Sequence, residues 1–234
     1  MPSPVILGSP RASSAFVLIA HGLTRLYGDT VAVWRADLRT SSGEAVAIQG
    51  PNGSGKSTLL RLLAGLATPT SGTVSWAASA GASRPKVGYL GHASHLFEAL
   101  TPVENIRLAA RLARTDPDRG LRLLEELGIA SWAGRRCGDL SAGTVRRVAL
   151  ARVLATDPDV VIVDEPFAAL DPTAAGLVEA TIRARCGQRL LILASHGDAR
   201  TRAVADRLFE MCDGRLEERD TWSGALPAQT GSAG

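Results

Sequence analysis

The chain is 234 residues long and 45% apolar, with 26 basic against 23 acidic residues and a net charge of +3. That suffices for one large domain with an inserted subdomain, and the two signs of charge are interleaved, so the basic stripe expected of a nucleic-acid binder is missing. Cys137, Cys186 and Cys212 are too scattered for a disulfide framework or a zinc site and read as small buried hydrophobes, and no apolar run nears the roughly 18 residues that cross a bilayer.

Residues 1–14 and 221–234 carry Pro, Ser and Gly without periodicity and are expected to be flexible tails around one domain over 15–220. The start shows no basic-then-apolar secretion pattern. Phe16 to Ala20 is a short apolar run, and Val31, Val33 and Leu38 alternate with polar residues, so the first forty residues read as antiparallel strands. Between them stands Tyr27, which either stacks on a purine base or ends a strand.

The run Ala45-Val46-Ala47-Ile48-Gln49 then leads into Gly50-Pro51-Asn52-Gly53-Ser54-Gly55-Lys56-Ser57-Thr58, and Leu59, Leu62 and Leu63 follow at helical spacing. A glycine-rich turn from a strand into a helix is a phosphate cradle. Its backbone N–H groups and the positive end of the helix face the anion, Lys56 reaches the outer phosphates, and the Ser57 hydroxyl ligates Mg²⁺. Only two of the 26 basic residues are lysine, Lys56 and Lys86, so a composition turned strongly toward arginine has spared the one position where a compact ammonium must fit between phosphates. Lys86 has no such context and reads as a solvated charge.

Thr73 to Trp76 and Val87 to Leu90 are further strand candidates, with Pro69, Gly72 and Gly81 marking turns. From about 93 to 155 the pattern is helix after helix, an inserted lobe. Thr101-Pro102-Val103-Glu104 is a capping box, Ile106, Ala109, Ala110 and Ala113 form the buried face that follows, and Asp116-Pro117 opens a second helix that Gly128 ends.

Leu140-Ser141-Ala142-Gly143-Thr144 precedes a third helical run. Small residues and a hydroxyl at a helix start make either an ordinary cap or a second anion site. Val160 to Val163 then form a short apolar strand that ends in Asp164 and Glu165, placed to hold Mg²⁺ through water and to orient or deprotonate the water that attacks a γ-phosphate, the plainer alternative for Glu165 being a solvated strand-end charge. Asp171 caps the helix opened by Pro172. The strand Leu190 to Ala194 delivers His196 to the same sheet edge as a donor to the γ-phosphate or the water, and Asp213-Gly214 is a hairpin turn.

In order and spacing, these stretches resemble the ATP-binding subunits of ABC transporters over roughly residues 16–220. The resemblance implies an α/β fold: a P-loop NTPase core with a mainly parallel sheet, an N-terminal antiparallel β subdomain and an inserted helical subdomain. It implies ATP and Mg²⁺ as ligands, Tyr27 as base stacker, residues 50–58 as phosphate loop, Ser141, Ala142 and Gly143 as the signature contact, Ala168 to Asp171 as D-loop and His196 as switch. The expected assembly is a head-to-tail homodimer, in which one copy's signature completes the other's phosphate loop, docked by the lobe near Phe97 to Asn105 onto a separately encoded transmembrane permease at the cytoplasmic face. The family signature Leu-Ser-Gly-Gly-Gln is altered here at Ala142 and Thr144, and the family's metal- and water-contacting glutamine falls on His92, or on Ala93. Tyr89-Leu90-Gly91-His92, with Leu100-Thr101-Pro102-Val103-Glu104-Asn105 after it and Leu-Ser-Ala-Gly as the signature, looks most like the haem-exporter ATPase of cytochrome c maturation. The alternatives are an exporter of another cargo, an ATPase of this family acting on DNA or ribosomes, and a regulatory nucleotide-binding module.

Overall fold

A computed structural model describes residues 15–78, 83–197 and 199–219; the expected tails at 1–14 and 221–234, and Gly81, lie outside these. In chain order the elements are β1 (Phe16–Tyr27), β2 (Thr30–Ser41), β3 (Ala45–Gln49), α1 (Lys56–Leu63), β4 (Ser71–Ala78), β5 (Val87–Leu90), α2 (Pro102–Leu112) and α3 (Pro117–Glu126). Then follow α4 (Ala142–Ala155), β6 (Val160–Asp164), α5 (Pro172–Cys186), β7 (Leu190–Ser195), α6 (Ala199–Val204), β8 (Arg207–Cys212) and β9 (Arg215–Arg219).

The strands make two sheets. One is antiparallel in the order β2-β1-β4, and the other runs β5-β6-β7-β3-β8-β9, parallel except for the β8-β9 hairpin. Successive side chains of a strand point to opposite faces, so the apolar runs of the parallel sheet serve two cores. Val46, Ile48, Val160, Ile162 and Ile192 pack toward α1 and the antiparallel sheet. Ala47, Val161, Val163, Leu191 and Leu193 pack toward α4, α5 and the helical insertion. Burial on both faces is why these strands read as unbroken apolar stretches.

Helix α1 seals the first core with Leu59, Leu60, Leu62 and Leu63, each no more than 1% exposed. Truncating one such leucine to alanine costs about 2–5 kcal/mol, since the cavity adds to the lost transfer energy. The β8-β9 hairpin turns at Asp213 and Gly214, both at positive φ. Gly72, expected in a turn, instead lies within β4 at positive φ, next to the place where the β1-β4 register shifts.

Between β5 and β6 the described elements are helices and two short 3₁₀ turns. Helix α2 has its capping box: the Thr101 hydroxyl accepts from the Glu104 backbone N–H at 3.2 Å and the Glu104 carboxylate accepts from the Thr101 N–H at 2.8 Å. Its inward face differs from the expected one. Ile106 and Ala110 are buried, but Ala109 and Ala113 are only half-buried, and Asn105 takes the central place at 1% exposure. The Asn105 amide donates to the Phe97 and Thr101 carbonyls and accepts from the Phe97 N–H, tying the loop before α2 to the helix. Cys137 and Cys186 are buried, whereas Cys212 is exposed at the end of β8, next to the hairpin turn.

Candidate active site

The parallel register sets the site. Gln49 at the end of β3 lies level with Ser195 of β7, and Asp164 of β6 lies level with Ala194, so the three carboxyl ends form one edge. In an open α/β sheet that edge is where ligands bind.

From β3 the chain turns through 50–55 into α1, whose first residue is Lys56. Gly55 has φ +105, and a side chain there would meet the Ala32 carbonyl oxygen at 2.0 Å, so the start of β2 presses against the loop and only glycine fits. Lys56 is 7% exposed, and its Nζ donates to the Gly50 and Pro51 carbonyls at 2.7 and 2.9 Å. Burial lowers its pKa by more than the charges of Glu165 and Asp164 raise it, so the two carboxylates only partly offset the cost of burying the ammonium. The Ser54 hydroxyl is buried in the loop with no hydrogen-bond partner among the described residues. With the N–H groups that any helix leaves unpaired in its first turn, it suits a phosphate oxygen. Asn52 and Gly53 are exposed at the rim, Pro51 is half-buried, and Ser57 and Thr58 open α1.

Across the edge, the Ser57 hydroxyl bonds the Asp164 carboxylate at 2.6 Å, with Asp164 2% exposed. A hydroxyl and a carboxylate are the hard oxygen donors Mg²⁺ takes, and among the described residues no cluster of three His, Cys, Asp or Glu side chains is gathered, so phosphate and water would fill the other positions. Glu165 follows in the left-handed region at φ 52, a conformation that turns its side chain away from the strand and is costly outside glycine. His196 Nε2 lies 3.1 Å from Glu165 Oε1. Ser57, Asp164, Glu165 and His196 are thus brought together. His92 is exposed, and its ring makes no hydrogen bond to Ser57 or Asp164 among the described residues; what holds this position is its backbone carbonyl, which accepts from Arg146.

Ser141 caps α4: its hydroxyl accepts from the Thr144 N–H at 3.3 Å and shares a proton with the Thr144 hydroxyl at 2.9 Å. Arg147 donates to that threonine oxygen at 3.5 Å, so the cap and the guanidinium share it. Ser141 and Ala142 are exposed. Gly143 is not replaceable in the same way, since a side chain there would meet the Ala169 carbonyl oxygen at 2.6 Å. The two altered signature positions therefore differ: the Ala142 methyl points to solvent, while Thr144 is buried and bonded. A cavity of about 280 Å³ separates this turn from Ala169 to Asp171, and Asp171 caps α5 through the Ala174 N–H.

Tyr27 ends β1 and is 46% exposed, with the Arg25 guanidinium 4.6 Å from its ring centroid. Both expected roles use that position. Two residues carried no sequence signal as functional: Asn105, which reads as a polar helix residue, and Arg146, which reads as a solvated charge yet is 9% exposed.

Fold and cradle define a P-loop nucleotide-binding domain with an antiparallel subdomain and a helical insert. A family model described as ABC transporter matches residues 34–168. The sulfate/thiosulfate import ATP-binding protein CysA of Mycobacterium tuberculosis is 33% identical over 214 residues, covering 87% of this chain and 61% of its own length. A probable anion import ATP-binding protein of Haloferax volcanii is 34% identical, covering 93% of this chain and 84% of its own. The dimeric structure of MJ0796, a bacterial ABC transporter cassette, superposes with a TM-score of 0.77 at 26% identity, covering 89% of this chain and all of that one. The chain belongs to the ABC transporter family, as its ATP-binding domain, and spans 61% of the length of CysA.

Proposed function

We infer that this chain binds Mg·ATP, hydrolyses it, and thereby drives a separately encoded transmembrane permease. The observation that carries this is the shared sheet edge, where Ser57 stands 2.6 Å from Asp164 and His196 stands 3.1 Å from Glu165, beside a buried lysine. Lys56 and the loop N–H groups, with Ser54, bind the phosphates, and Ser57 and Asp164 would hold Mg²⁺, which would supply positive charge against the phosphates. Glu165 orients the attacking water and accepts its proton, and His196 fixes the carboxylate while its ring reaches toward the γ-phosphate. Tyr27 stacks on the base, and His92 faces the water from the loop after β5.

Ser141, Ala142 and Gly143 are exposed or half-exposed at the start of α4, a position suited to a second nucleotide bound on another copy. The dimeric MJ0796 cassette supports a homodimer, and the exposed signature turn supports a head-to-tail one. Phe97, 58% exposed before α2, supports docking of the lobe on the permease, although Asn105 is buried and takes no part in that surface. No helix among the described residues is long and apolar enough to cross a membrane, which suits peripheral attachment at the cytoplasmic face. The likeness to a sulfate/thiosulfate import protein and to a probable anion import protein supports transport as the task and inorganic anions as one cargo class. Haem export rests on Tyr89 to His92, Leu100 to Asn105 and the Leu-Ser-Ala-Gly signature, and those relatives lend it nothing.

Glu165→Gln tests the reading. Phosphate release should fall about 10²–10⁴-fold, and size-exclusion chromatography with ATP should show a dimer. Undiminished turnover would remove Glu165 from the mechanism, and copurification with no integral membrane protein would remove the permease.

A further inference from the structure

Arg146 lies in the second turn of α4, buried, and its guanidinium donates to four backbone carbonyls: Gly91 and His92 in the loop after β5, and Asp164 and Glu165 at the end of β6. We propose that Arg146 is a positioning residue for hydrolysis, whose planar fork locks the His92 loop and the Asp164-Glu165 strand end into one frame and so sets the Glu165 carboxylate against the phosphate loop. The inference rests on the ATPase reading above and adds to it a residue that never touches nucleotide.

Three further features of the structure agree. Glu165 stays in its left-handed conformation only if its surroundings hold it there; its N–H donates to the Ala194 carbonyl at 2.8 Å, and the carbonyls on either side of that strained Cα are the ones Arg146 binds. Gly91 is seated on the Tyr89 ring, which would lie 2.8 Å from a side chain at that position, so the loop is clamped between ring and guanidinium. Two helical turns further along α4, Arg152 donates to the carbonyls of Ser94 and His95, so one helix grips the loop from 91 to 95. That helix begins at Ser141. A displacement of the loop by a partner is therefore carried both to the acidic strand end and to the signature.

A guanidinium presents five donors in a rigid plane and can bridge two pairs of carbonyls, whereas an ammonium cannot span them. Burial lowers the Arg146 pKa by more than the neighbouring Asp164 and Glu165 charges raise it, and the guanidinium's hydrogen bonds go to backbone carbonyls rather than to a carboxylate. Asp164 thereby keeps its carboxylate for Ser57.

The test is steady-state phosphate release by the full chain carrying Arg146→Lys and Arg146→Met, with nucleotide affinity from a fluorescent ATP analogue and Tm for each. We expect kcat to fall about 10- to 100-fold in both and nucleotide affinity to stay within about twofold of wild type. A residue that merely stabilised the fold would lower Tm and leave the kcat of the folded protein intact. Should Arg146→Met fail to fold, Arg146→Lys decides alone. Wild-type turnover with undiminished kcat in Arg146→Lys overturns the positioning role; absence of turnover in the wild type overturns the ATPase reading and this role with it.

Discussion

At the phosphate loop the polar groups are buried and bonded within the chain, with Lys56 held by Gly50 and Pro51 and Ser57 by Asp164, whereas at the signature Ser141 and Ala142 stand exposed and Gly143 leans on a single neighbouring carbonyl. One region is a finished half of a site, packed between two cores. The other is a presented half, rigid behind and open in front. A cradle must hold its shape to bind phosphate unaided, while a surface that closes on another copy has to leave its donors uncovered.

Changes on the finished side should cost most. Lys56→Ala removes the one cation among the loop residues and should lower phosphate release about 10²–10³-fold; retention of turnover would mean the buried half is not the working one. Gly55→Ala forces a side chain against Ala32 in a left-handed conformation and should lose about 1–3 kcal/mol of stability in urea unfolding; an unchanged midpoint would show that β2 yields to the loop.

On the presented side, the same chemical change should act on assembly. Gly143→Ala should cut turnover about tenfold while leaving nucleotide binding by the isolated chain intact, and Ala142→Gly should change turnover less than about twofold. Reversal of that order, measured side by side, would place the close contact with Ala169 outside the mechanism. The smaller of the two stability effects is that of Thr101→Ala, which should cost about 1 kcal/mol by breaking the α2 cap. The Thr101 N–H and hydroxyl hold the Glu104 carboxyl below its usual range. Its pKa is lower folded than unfolded, so its contribution is present above about pH 4.5 and is lost as pH falls through the folded value. Acid titration of wild type against Thr101→Ala should therefore narrow the gap between them at low pH without closing it, since the hydroxyl still accepts from the Glu104 N–H.

The phosphate loop, the acidic strand end and the strand before His196 were legible because each is local: an apolar run, then the chemistry at its carboxyl end. The misreadings share a cause as well. Ala109 and Ala113 fit the helical period of Ile106, but Asn105 won the inner position because its amide satisfies three backbone groups of the preceding loop. Cys212 resembles its buried fellows in composition and is exposed only because its strand ends there.

The sequence by itself determined the place of the glycine-rich loop, since glycine, lysine and serine at fixed spacing between a strand and a helix have few other uses, and it determined the layered fold through strands apolar on both faces. Only the tertiary structure decided the rest: that Ala142 faces solvent while Gly143 meets Ala169, that Asn105 is buried, and that Arg146 reaches carbonyls on two separate segments. Those outcomes depend on which backbone comes near, and proximity across 55 and 18 residues of chain is set by packing and leaves no local mark.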